Sequence, residues 1–209
     1  MTTISRVAPT PALHAVRSLI GPSDPPPRDV AGYGIVAFTS RPLPQDVERY
    51  KSVCEAWKAV LLDKDELPAT VSASEQMVTF WPVKNKSSPG AAKGECSTLV
   101  AEYALEPALA AINDADKNRE GLPSRRGPFL IAWAPSDSRF KPDALVLVME
   151  LSRLESQQSF VEVFRDWRSE IVNKPERWKH GFDVESVRRT IRDTFDRYGD
   201  LLVRLIKGS

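Results

Sequence analysis

Side chains that bind metal are scarce in this sequence. Across 209 residues it holds two cysteines, Cys54 and Cys96, and two histidines, His14 and His180. There is no Cys-x-x-Cys and no Cys/His cluster, so the usual structural zinc site is excluded. A metal centre would have to be built from carboxylates alone, and no metal or cofactor is expected. Two cysteines are too few for a disulfide scaffold. They suit a reducing cytosol, the setting expected here, although one bridge in an oxidising compartment fits equally well. No stretch approaches ~18 consecutive apolar residues, so a membrane span is not expected. A charge excess of one sign is also missing: 29 Lys plus Arg face 28 Asp plus Glu. Arg6, Arg17, Arg28, Asp24 and Asp29 all lie in the first 29 residues, which leaves 26 basic and 26 acidic residues in the remainder. Composition therefore offers no argument for nucleic acid or an anionic lipid surface.

Short catalytic motifs are absent as well. GxSxG, GxxxxGK[ST] and GxGxxG do not occur, which removes the nucleophile elbow, the phosphate loop and the dinucleotide fingerprint. Neither composition nor period fits collagen or a coiled-coil array, and no internal repeat is visible. What remains is one domain of mixed α/β (or α+β) type, long enough to bury a core.

Residues 1–21 contain no acid. Pro11 to Ile20 reads as a short amphipathic helix with Leu13, Val16, Leu19 and Ile20 on one side. His14, Arg17 and Ser18 interrupt the apolar run that a secretory signal needs. The Pro22-Ser23-Asp24-Pro25-Pro26-Pro27 stretch cannot continue a helix and reads as a stiff linker. The expected division is a Pro-rich N-terminal tail over residues 1–29 and a single mixed domain over residues 30–209.

The body alternates strand and helix. Tyr33 to Thr39 is a buried strand by its apolar run. Pro44 opens a helix carrying Val47, Tyr50, Val53, Cys54, Trp57, Val60 and Leu61. Gln76 to Val83 is a second strand, which Pro82 ends or places at an edge. One helix is expected through Leu99, Leu105, Leu109 and Ile112, with Pro107 in its first turn. Pro128 to Trp133 and Ala144 to Leu151 form an antiparallel pair with a long loop. Ser159 with Glu162 reads as a capping box for a helix whose core is Phe160, Val163, Phe164, Trp167 and Ile171. A last helix is expected from Asp183, with Val184, Val187, Ile191, Phe195, Tyr198, Leu202 and Leu205 on one face. The order is β-α-β-(α)-β-β-α-α, giving a mixed sheet of about four strands with helices packed on it. A similar βαβαββα order occurs in thioredoxin-like folds, where a cis-proline precedes the third strand, and Pro128 sits in a comparable place. The likeness is one of element order alone. No Cys-x-x-Cys follows the first strand, so the redox chemistry of that class is not implied.

Candidate functional residues fall in a few places. Cys96, between a Gly-rich loop and a helix, could have its thiolate stabilised there, with His180 as base and Asp183 orienting the imidazole. That defines a thiol hydrolase or transferase; the competing readings are a packed cysteine and, in an exported protein, a Cys54–Cys96 bridge. Trp178, His180 and Phe182 form the densest aromatic cluster in an expected loop, open to binding or to plugging a helix joint. Arg125 and Arg126 could clasp a carboxylate or phosphate. Lys84, Lys86 and Lys93 with Gly90 and Gly94 form a polar loop lacking a nucleotide motif. Arg188, Arg189, Arg192, Arg197 and Arg204 are offset by acids four residues away, which describes a solvated helix face. Asp143 and Glu150 would lie about 23 Å apart on one strand, too far for an acid/base pair. Trp57, Trp81, Trp133 and Trp167 fall on core positions. The leading expectation is a non-enzymatic α/β module that binds a partner protein or small ligand. The alternatives are the Cys96–His180 enzyme and a scaffold subunit docking through its N-terminal segment.

Overall fold

A computed structural model describes residues 12–116, 121–124, 127–141 and 144–182, together with the backbone of 202–207. The strands are β1 (His14–Ile20), β2 (Gly32–Ala37), β3 (Leu62–Asp63), β4 (Gln76–Pro82), β5 (Phe129–Trp133), β6 (Leu145–Glu150) and β7 (Leu202–Lys207). The helices are α1 (Val47–Val60), α2 (Pro89–Ala92), α3 (Cys96–Ala101), α4 (Leu105–Ala115), α5 (Gln157–Asn173) and α6 (Pro175–His180). All seven strands form one mixed sheet in the order β3-β1-β4-β2-β5-β6-β7, with β3 a two-residue stub. Pairing is parallel from β3 through β1 and β4 to β2, and antiparallel from β2 through β5 and β6 to β7. The four expected strands are thus its β4-β2-β5-β6 portion, and the β5–β6 pair is antiparallel as expected. Gly127–Pro128, just before β5, is a cis peptide bond.

The N-terminal reading needs correction. His14–Ile20 is a strand rather than a helix, and it lies between β3 and β4. Val16 aligns with Leu62 on one side and Val78 on the other. Seven residues are too few for periodicity to separate a strand from a helix; pairing with a distant segment decides it. Arg17 is tolerated in this strand because Nε donates to the Leu61 carbonyl at 3.1 Å and Nη1 pairs with Asp63 at 2.8 Å. Its guanidinium also lies 5.5 Å from the Trp57 ring centre. The sheet therefore begins well before Asp29, and removing residues 1–29 would remove a strand as well as a tail.

Four further expectations differ from the structure. The single helix expected through Leu99 and Ile112 is two, because the chain between α3 and α4 turns onto the end of β4 and the residues just after it. Lys84 N–H donates to Glu102 O, Ala104 N–H to Pro82 O, and Tyr103 bridges Val83. Helix α5 starts three residues earlier than expected: Ser156 is its N-cap and accepts from the Ser159 N–H at 3.1 Å. The Trp178–His180 segment, expected as loop, belongs to α6. Leu202 and Leu205, expected on a last helix, lie on β7, where Glu150 aligns with Leu202. Arg204 is likewise on a strand. The remainder of that expected helix, including Asp183, lies outside the described residues.

Register sorts the side chains by face. Met77, Thr79 and Trp81 of β4 share a face with Gly34 and Val36 of β2. Helices α1 and α5 cover this face: Trp57 Nε1 donates to the Thr79 carbonyl at 3.1 Å, and Trp167 Nε1 donates to Thr79 Oγ1 at 3.0 Å. Gly34 is small for the same reason, since a Cβ there would sit 2.9 Å from Met77 Cε and 3.4 Å from Trp167 Cζ2. The opposite face carries Tyr33, Ile35, Trp133 and Phe80 and is covered by α4. There Arg139, itself buried, lies over the Tyr33 and Trp133 rings and pairs with Asp114 of α4 at 2.6 Å. Phe160, Val163, Phe164, Trp167 and Ile171 are all buried, as are Trp57, Trp81 and Trp133.

The Thr79 hydroxyl gives a direct check. Thr79→Val keeps the shape but leaves the buried Trp167 N–H without its acceptor, a loss of about 1–3 kcal/mol. Chemical denaturation should show that loss, and Tm should fall by roughly 2–4 °C per kcal/mol. Thr79→Ser, which retains the hydroxyl, should lose distinctly less.

Candidate functional site

In an open α/β sheet, the carboxyl ends of strands are where the chain leaves room for a ligand. At the carboxyl end of β2 the chain passes Phe38, Thr39 and Ser40, and two prolines then bring it round to α1. A cavity of about 480 Å³ opens there. Thr39, Ser40, Leu43, Gln45 and Asp46 line it from the β2–α1 turn, and Arg49 and Tyr50 from the first turn of α1. Gly127 lines it from just before β5, and Ser152 from the turn after β6. Gly127 has little room to change, since a Cβ would lie 3.2 Å from the Ala37 carbonyl oxygen.

The floor is aromatic. Phe38 stacks on Tyr50 with ring centres 3.5 Å apart, and Tyr103 stands edge-on to both at 5.3 and 5.8 Å. Trp81 closes the cluster edge-on to Phe38 and Tyr103. Edge-to-face contacts of this kind are favourable beyond simple burial. Each hydroxyl has a partner. Tyr103 Oη donates to Val36 O and accepts from the Phe38 N–H, both at 3.0 Å. Tyr50 Oη donates to Ser40 O. The β2–α1 turn is thereby tied to α1 and to the end of α3.

The rim is polar. Arg49 Nη2 donates to the Leu151 and Ser152 carbonyls at 2.9 and 2.7 Å, and the guanidinium lies 5.7 Å from the Phe160 ring centre. Burial lowers the Arg49 pKa, while the Glu155 and Asp46 charges oppose that shift. An arginine remains charged in such a place, so Arg49 gives the cavity a fixed positive charge. Ser152 Oγ donates to Glu150 at 2.8 Å, which sets the second wall. Asp46 caps α1 by position, but its side chain makes no capping hydrogen bond.

The residues singled out from the sequence are dispersed. Cys96 is bonded to Cys54, and both are buried. Sulfur in that bond is not a nucleophile, and the thiol expected there has been consumed. His180 is 77% exposed, with Nε2 3.4 Å from Glu176. Trp178 is buried edge-on between Trp167 and Phe182 at 5.0 and 5.1 Å, which is the joint-plugging arrangement. Arg125, Arg126 and Asp143 lie outside the described residues. The lysine loop ends up elsewhere: Lys86 pairs with Asp24 at 2.5 Å and, with Gly94, borders a smaller cavity of about 290 Å³ beside Arg17 and Trp57. Among the described residues no group of three metal-ligating side chains forms, and no helix is long and apolar enough to cross a membrane.

Sequence reasoning did not single out Arg49, Ser152 or Gly127. One available signal was the Pro42–Pro44 turn straight after a buried strand, which places Thr39 to Arg49 at a strand's carboxyl end. Compared with family models, with curated proteins and with solved structures, the chain matches none.

The buried tyrosines have a pH signature. Burial raises Tyr50, and Tyr33 on the opposite face of the sheet, from the ordinary 10.0 to about 12, and raises Tyr103 well above the ordinary value. The folded state therefore holds these protons more tightly than the unfolded chain. Their contribution to stability is complete below pH 10 and is lost as pH rises through about 12. Absorbance at 295 nm should show these tyrosines ionising together with loss of the near-ultraviolet dichroism. Independent ionisation near pH 10 in a folded chain would contradict the buried cluster.

Proposed function

We propose that this protein is a non-catalytic binding module whose ligand is a small polar molecule held in the cavity at the carboxyl end of β2. The observation that carries this reading is the cavity itself. Its volume of about 480 Å³ falls within the range of small-molecule clefts, roughly 300–1,000 Å³. It combines an apolar floor with a few convergent polar groups, the composition such clefts need for affinity and orientation. The hydroxyls of Thr39, Ser40 and Ser152 offer neutral hydrogen bonds. Arg49, already fixed by two carbonyls, can give its other N–H groups to an anionic or carbonyl oxygen. Its preorganisation reduces the entropy cost of binding. Among the described residues the lining holds hydroxyls, one amide, one carboxylate and one guanidinium. None of these is paired as nucleophile with base, which favours binding over covalent chemistry.

A fragment screen read by ¹⁵N–¹H shift mapping tests the proposal. Hits should move the amides of Thr39, Ser40, Asp46, Arg49, Gly127 and Ser152 together. Arg49→Met keeps an unbranched apolar side chain but removes the cation, and should weaken carboxylate-bearing hits about tenfold, the size of one charge-assisted hydrogen bond. Hits that cluster at other cavities, or a library with no hits at all, would overturn it.

A further inference from the structure

Two aromatic rings line the floor of the cavity and a third backs them edge-on, and the three come from segments distant in sequence. Phe38 follows β2, Tyr50 lies on α1, and Tyr103 lies two residues beyond α3. Two of these carriers are joined covalently. Cys54 is one helical turn past Tyr50 on α1, and Cys96 is the first residue of α3. The bond between them spans 42 residues of sequence, with the two Cα atoms 5.8 Å apart. It therefore fixes the spacing of the helix that supplies Tyr50 against the helix that leads into Tyr103.

We infer that the Cys54–Cys96 bond is the clamp that holds the cavity floor in its binding geometry, so that the oxidised chain is the binding-competent form. The binding consequence rests on the cavity being the ligand site; the clamp itself does not. Each helix has its own hydrogen bond with β4, from Trp57 of α1 to Thr79 O and from Trp81 of β4 to Leu99 O of α3. The direct contact between the two helices is otherwise side-chain packing, which permits small relative shifts that a covalent link forbids. The hydrogen bond from the Phe38 N–H to Tyr103 Oη reads out such a shift, because Phe38 stacks on Tyr50 of α1 while Tyr103 follows α3.

Forming the clamp removes two electrons and two protons from the Cys54 and Cys96 thiols. A small disulfide such as oxidised glutathione accepts them. One cysteine thiolate attacks it and expels one glutathione thiol, giving a mixed disulfide. The second cysteine then attacks the protein sulfur and expels the other glutathione thiol. The implied setting is one that supplies such an oxidant, in contrast to the cytosol expected from cysteine count alone.

Hydrogen exchange on the full chain tests the clamp without any ligand. The buried bond is reduced by unfolding in guanidinium with dithiothreitol, and the chain is refolded in dithiothreitol; the Cys54→Ala/Cys96→Ala chain is measured beside it. In both, the Phe38 amide should exchange at least about tenfold faster than in the oxidised protein, while the Ile131 amide at the sheet centre stays within about twofold. Fragments mapped to the cavity should bind the reduced chain about tenfold more weakly, in proportion to the competent fraction. Unchanged exchange at Phe38 overturns the inference. So does uniform acceleration at Phe38 and Ile131, or failure of both reduced chains to refold, since either makes the bond a support of the whole fold. Because exchange needs no ligand, the clamp can fail while the fragment map holds, and the map can fail while the clamp holds.

Discussion

Two indole N–H groups converge on one residue in the middle of the sheet. Thr79 of β4 offers its carbonyl to Trp57 of α1 and its hydroxyl to Trp167 of α5. β4 has hydrogen-bonded neighbours on both edges, so it can be reached only from above or below. Large amphipathic side chains are the means available: each tryptophan buries its ring in the core and satisfies its one donor on the strand. This junction sets where α1 lies along the sheet. Every residue that α1 presents to the cavity, from Asp46 to Tyr50, is positioned by it.

The cavity follows from that placement. A strand followed directly by Phe38 and a helix whose first turn ends at Tyr50 bring two rings into stacking distance. The chain between them contains Pro42 and Pro44 and cannot fold back to fill the space as helix or sheet. Tyr103 then serves two ends of one peptide stretch, donating to Val36 O and accepting from Phe38 N–H. These are backbone groups that lie past the last β2–β4 register pair, at Ile35 and Phe80. Buried backbone groups must find partners, and a tyrosine hydroxyl meets both needs while keeping the floor apolar. Arg49 performs the same service on the far wall for the carbonyls of Leu151 and Ser152. The site is thus lined by residues already engaged in holding the fold, which gives it rigidity.

Much of this fold was legible in local patterns. Helix α5 carries its apolar residues at helical spacing, and each of the five read from it is buried. The strands β2, β4, β5 and β6 are short apolar runs bounded by proline or glycine, and each formed where those signals placed it. The candidate site was much less legible. Arg49 sits on a helix face between core positions, and nothing local marks it as the residue that closes a cavity. Ser152 is an ordinary turn residue until the β6 turn is laid against α1. Cys96 is open on local grounds for a related reason: a cysteine near a helix start carries the signature of a reactive thiol, of a packed residue and of half a bridge alike, and its partner is 42 residues away.

The sequence by itself determined the alternation of strand and helix, the antiparallel β5–β6 pair, and the amphipathic faces of α1 and α5. These depend on neighbours within a few turns, where side-chain periodicity and turn chemistry act directly. Tertiary structure alone decided that His14–Ile20 is a strand, that β7 completes the sheet, that the chain breaks between α3 and α4, and that Cys54 meets Cys96. Each of these is settled by a partner far along the chain: Gln76–Pro82 for β1, Leu145–Glu150 for β7, Pro82–Lys84 for the break. A hydrogen-bonding edge or a thiol carries no local record of which distant segment will satisfy it, and only the packed sheet supplies that answer.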